Sequence, residues 1–140
     1  MNIINAIKED VGTVFSIQYE DGYYLSQKVT VRNSSEEGKY LEMEHTKNIN
    51  WSSQRFLNAN FKVIKKPITL EEALKSGKKF RLIKEINFNL KPTDEKLYKI
   101  YMDYIYLEYM YIKDLLELAR YELPSYKIDE ILNNKCWISE

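Results

Sequence analysis

One local phrase occurs twice in this chain: a short helix, a glycine that stops it, and a strand that begins near an aromatic residue. The first copy is Ile4-Asn5-Ala6-Ile7-Lys8 followed by Gly12-Thr13-Val14-Phe15. The second is Glu72-Ala73-Leu74-Lys75 followed by Gly77-Lys78-Lys79-Phe80. Glycine ends a helix readily because it takes positive φ without a Cβ clash. A helix that feeds a strand through such a stop belongs to α+β modules, so the repeat predicts two related openings in one short chain. The copies are not in strict register: six residues separate Ala6 from Gly12, but four separate Ala73 from Gly77.

Between the copies the pattern changes to period two. Thr13 to Tyr19 alternates, with Phe15, Ile17 and Tyr19 on one side, which predicts a strand. Asp21-Gly22 carries a hairpin-turn signature and leads into Tyr23-Tyr24-Leu25. Lys28–Arg32 and Lys39–His45 read as further strands, and Val63-Ile64 closes the set. Ser52 or Ser53 is positioned to cap one helical turn, with Phe56 and Leu57 inward. Residues 13–66 are thus expected to form a small curled antiparallel sheet with short helices.

Pro67 marks a boundary. Thr69 with Glu72 forms a capping-box pattern, and Ile68 and Ala73 stand at the staple positions. Further on, Leu97, Ile100, Tyr104, Leu107, Tyr111, Leu115 and Leu118 recur at steps of three or four. That stripe predicts one helix over 94–121, about 40 Å long from its rise per residue. Pro124 ends it and Ser125 starts a short terminal helix. The expected fold class is α+β: the curled sheet, then a long C-terminal helix, then the short one. The division is a small α+β module over 1–67 and a helix-strand segment with a helical hairpin-like extension over 68–140, packed with the first as one unit. A stripe this long exceeds what a small sheet covers, which predicts a homo-oligomer.

Few residue types here carry chemistry. His45 is the only histidine and Cys136 the only cysteine, so an intrachain disulfide is excluded and neither a metal centre nor a cofactor is expected. His45 reads as an ordinary strand residue beside Glu42 and Glu44. The four glycines are isolated turn or cap residues rather than a phosphate loop. No catalytic group is identified, and the chain is not expected to be an enzyme. No apolar run approaches the length of a membrane span, and the first residues lack the pattern of a secretory leader, so a cytoplasmic setting is expected.

Charge is informative by segment. The chain balances to a formal net charge of zero. Residues 62–84, however, hold eight basic side chains against two acidic ones, while 94–140 hold ten acidic against six basic. The basic middle is either a solvated surface or an anion site, with Lys78, Lys79, Arg81 and Trp51 as its candidate residues. Twelve tyrosines among 140 residues reflect either compositional bias or an aromatic contact surface. Tyr104, Tyr106, Tyr109 and Tyr111 are the candidate protein-binding set.

The layout of residues 1–67 resembles a family of small bacteriophage anti-defence proteins, the Thoeris anti-defence type 2 sponges, whose relatives include an anti-CRISPR inhibitor. Ala6-Ile7 and Gly12 match the family's opening phrase, as do Glu72-Ala73-Leu74 with Gly77-Lys78. Leu57, Asn60, Phe61, Val63 and Ile64 match its closing phrase, with Asn60 in place of the usual aspartate and Phe61 in place of tryptophan. The resemblance implies a compact oligomeric α+β protein acting in the host bacterial cytoplasm against bacterial immunity. The expected partner is then a bacterial defence protein held by direct contact. The alternatives are a cyclic nucleotide immune signal sequestered by the protein, or a nucleic acid.

Overall fold

The computed structural model describes residues 1–83, 85, 109–122 and 125–140. These fall into two compact units, Met1–Lys66 and Pro67–Glu140.

The first unit opens with helix α1 (Ile3–Lys8), where the Asn2 side chain accepts from the Asn5 N–H and so caps the first turn. Four strands follow: β1 (Val14–Gln18), β2 (Val29–Ser34), β3 (Gly38–Met43) and β4 (Asn60–Lys65), with the one-turn helix α2 (Gln54–Leu57) before β4. All pairs are antiparallel, in the order β3-β2-β1-β4. The register explains the alternation in the sequence. Phe15 lies opposite Val29 and Val63, Ile17 opposite Phe61, and Val31 opposite Leu41. These side chains share one face with Ile3 and Ala6 of α1 and form the core of the unit. The Lys39 ammonium donates to the Lys8 and Glu9 carbonyls, meeting the negative end of α1. Lys66 pairs with Glu9 at 2.7 Å, and that hydrogen bond raises the lysine pKa.

Two expectations are corrected here. The sheet is open rather than curled, because β3 and β4 are its edges and pair with different central strands. His45 is not a strand residue: β3 ends at Met43, and His45 sits exposed in the turn after it, its N–H donating to Gln27 Oε1.

The second unit contains helix α3 (Leu70–Ser76), strand β5 (Phe80–Leu82), helices α4 (Ile112–Glu122) and α5 (Ser125–Asn133), and strand β6 (Trp137–Ser139). The Thr69 hydroxyl accepts from the Glu72 N–H at 3.3 Å, and Gly77 ends α3 with φ of 67°. Thr69→Ala should therefore destabilise the protein by about 1 kcal/mol through loss of the cap. Urea unfolding measures this; an unchanged midpoint would show that the cap carries no stability. β5 pairs antiparallel with β6. Ile68 bridges the far side of β6 at Trp137, and Met110 bridges the far side of β5 at Phe80.

The bridge at Met110 overturns the single long helix. Phe80 and Met110 exchange both backbone hydrogen bonds, at 2.7 and 2.9 Å. A residue committed to a sheet ladder cannot also donate its N–H within a helix. The helix therefore starts at Ile112, two residues beyond the bridge, and runs for 11 residues. The expected helical stretch 94–108 lies outside the described residues. No helix among the described residues is long and apolar enough to cross a membrane.

Candidate cation and tyrosine contact site

The Phe80–Met110 bridge organises the residues around it. Phe80 and Leu82 are buried in the core of the second unit, and Met110 packs against that core. Side chains alternate along a strand, so Lys79 and Arg81 project from the opposite face of β5. In the antiparallel register about the bridge, Lys79 falls beside Tyr111 and Arg81 beside Tyr109. The Lys79 Nζ lies 5.1 Å from the Tyr111 ring centroid, and the Arg81 guanidinium carbon 5.0 Å from that of Tyr109. Tyr111 is 56% exposed, while Lys79, Arg81 and Tyr109 are half-buried. Each such pair contributes only about 0.5–1 kcal/mol at exposed sites. The arrangement therefore adds little to stability, yet it presents two cations and two rings together.

The sequence placed these four residues in two separate groups, and the structure joins them. Of the candidate tyrosines, Tyr109 and Tyr111 stand at the bridge outside any helix, while Tyr104 and Tyr106 lie outside the described residues. Of the candidate anion-binding residues, Lys79 and Arg81 are at the site. Lys78 is exposed just before β5, its N–H donating to the Ser76 hydroxyl. Trp51 belongs to the other unit, half-buried with its ring 4.7 Å from that of Phe56.

The sequence reading missed a polar depression in the first unit. It measures about 470 Å³ and is lined by Tyr19, Glu20, Asp21, Gln54, Arg55 and Asn58. The Arg55 guanidinium carbon sits 3.9 Å from the Tyr19 ring centroid. The other groups are largely occupied with one another: Asn58 donates to Glu20, Gln54 donates to Asn58, and Asp21 accepts from the Tyr23 N–H. The signal available was Tyr19 before the Asp-Gly turn and Arg55 within the helical turn after Ser53, whose side chain makes no capping hydrogen bond, and nothing in the sequence links these two local features.

Cys136 is a packing residue. It is fully buried, and burial pushes its thiol up to about 12, with Glu130 adding to the shift. The thiolate is the reactive form, so this group is inert at neutral pH. The folded protein should resist a disulfide-exchange thiol reagent at pH 8 and react within minutes once unfolded in urea. Rapid reaction in the native state would show that the thiol is accessible. Because the folded state holds this proton more tightly than the usual value of 9.0, its contribution to stability is complete below that value and is lost as pH rises toward about 12.

Among the described residues, no three His, Cys, Asp or Glu side chains converge to hold a metal ion. Compared with protein families, with characterised proteins and with solved structures, the chain matches none.

Proposed function

We propose that this chain works by contact with another protein, through the face that carries Lys79, Arg81, Tyr109 and Tyr111. The observation that supports the reading is the pairing of two cations with two tyrosines about the Phe80–Met110 bridge. Arginine and tyrosine are enriched among residues that dominate binding energy, because each offers a large rigid contact with directional polar groups. The resemblance supplies the partner class: a bacterial defence protein, met in the host bacterial cytoplasm and inhibited by binding. No covalent step is part of the reading. Self-association belongs to the same proposal, motivated now by the exposed Leu74 and Tyr111 rather than by a continuous helical stripe.

A second reading uses the same groups differently. Cations beside rings also suit a phosphate with an attached base, so a cyclic nucleotide or a nucleic acid is the alternative ligand.

The test is a pull-down from defence-competent bacterial lysate, followed by mass spectrometry of retained proteins and released small molecules. Tyr111→Ala combined with Arg81→Ala should lower affinity for the retained protein at least about tenfold while leaving the circular dichroism spectrum unchanged. Micromolar binding of a labelled oligonucleotide or a cyclic nucleotide, weakening with added salt, would replace this reading with the second.

A further inference from the structure

The edge of β3 offers a binding surface of a different kind, in the first unit and independent of the cation and tyrosine face. Its hydrogen-bond phase is fixed by two observations. The Val31 N–H and C=O are both directed at the loop before β1, to Thr13 and from Gly12, and the Glu44 N–H donates to the Lys28 carbonyl. Position 31 of β2 therefore faces β1, while Thr30 and Arg32 face β3, where Glu42 and Tyr40 are their partners. In an antiparallel ladder the intervening residues point the other way. The backbone N–H and C=O groups of Lys39 and Leu41 are thus directed out of the sheet, at its open edge. The opposite edge differs, because the Phe61 N–H of β4 donates to the Met1 carbonyl at 2.7 Å.

Beside this open edge runs an apolar groove of about 260 Å³, lined by Ile3, Ile4 and Ile7 of α1, by Leu41 and the neighbouring β3 residues, and by Trp51. Ile4 is 59% exposed there, a large apolar side chain left in water. Lys39 is the one charged residue of the lining. Its ammonium gives two donors to the Lys8 and Glu9 carbonyls, which leaves the third for a ligand.

We propose that this edge takes up an extended, acidic segment of a partner protein by strand addition. The segment's backbone pairs with Lys39 and Leu41. Its alternate side chains enter the groove against Ile4, Ile7 and Trp51, and a carboxylate meets Lys39. The charge favours a foreign segment over a second copy. The β3 residues that line the groove are Lys39, Tyr40 and Leu41, none of them acidic, so two such edges brought together would offer Lys39 no carboxylate from β3 within the groove.

The experiment is selection from a library of random ten-residue peptides against the full chain. The selected peptides are then titrated into the protein, with amide hydrogen exchange followed by NMR. Enriched peptides should alternate apolar residues and carry a carboxylate. They should bind Ile4→Glu at least about tenfold more weakly, and they should slow exchange at the Lys39 and Leu41 amides. Lys39→Pro, which removes an N–H directed away from β2, should abolish binding while circular dichroism shows the fold retained. Failure to enrich any peptide would overturn the proposal. So would peptides that keep their affinity for Ile4→Glu, or that leave both amides unchanged. Protection of the same amides by raising the concentration of the protein alone would assign the edge to self-pairing instead.

Discussion

Trp137→Ala should cost about 3–5 kcal/mol, a large share of the roughly 5–15 kcal/mol that holds a typical domain folded. The residue is fully buried and is the largest such side chain in the molecule among the described residues. It also joins three parts of the second unit. Its backbone exchanges hydrogen bonds with Ile68 at 2.9 and 3.2 Å, it lies opposite Leu82 in the ladder, and its indole N–H donates to the Ile131 carbonyl at 2.9 Å. Truncation leaves a cavity lined by residues from β5 and α5, and it removes from that carbonyl its indole donor while the weaker Cys136 thiol donor at 3.7 Å remains. Trp137→Phe retains much of the volume and should cost less, about 1–3 kcal/mol, chiefly through loss of the indole hydrogen bond to the Ile131 carbonyl. Urea unfolding followed by far-ultraviolet circular dichroism measures both. A loss below about 1 kcal/mol for the alanine variant would mean that the site collapses around the gap and that Trp137 does not organise the unit.

What the sequence made legible here was local chemistry. Thr69 and Gly77 bound α3 because an oxygen that accepts from the third residue on and a left-handed glycine are each properties of a few adjacent residues. Asn2 and the alternation of β1 are of the same kind. The Tyr109-Met110-Tyr111 segment was misread for a physical reason. Tyr104, Leu107, Tyr111 and Leu115 satisfy a helical spacing, but the triplet also alternates exposed or half-exposed, core-packed and exposed, as a strand does. Side-chain periodicity cannot choose between these, since the decision lies with a backbone partner 30 residues earlier in sequence, Phe80. The candidate site was hidden by the same separation. Lys79 and Arg81 drew attention as charges and Tyr109 and Tyr111 as rings, but only the bridge sets each cation beside its ring. The open sheet likewise could not be read from alternation, which identifies strands and their faces but not which strands end at an edge.

Phe15→Ala should destabilise the first unit by about 3–5 kcal/mol. Phe15 has no exposed surface and stands on β1, one of the two central strands, opposite Val29 on one side and Val63 on the other. Its ring meets that of Phe61 edge-on, with centroids 6.0 Å apart and planes at 82°. An edge-to-face pair gains about 0.5–1.5 kcal/mol beyond burial, so removing one ring loses both the transfer term and the pair term. The core cannot close over the gap by side-chain motion alone, because β-branched Val29 and Val31 and the helix residue Ala6 are held by ladder and helix backbone. Phe15→Leu, which keeps most of the volume, should lose much less. The two tryptophans make the measurement specific, since Trp51 lies in the first unit and Trp137 in the second. In a Trp137→Phe background, Trp51 fluorescence reports the first unit alone, and each Phe15 variant is compared with that background. A fluorescence midpoint that does not move in Phe15→Ala would show that β1 is not the centre of this core, and it would remove the strand order on which the open β3 edge depends.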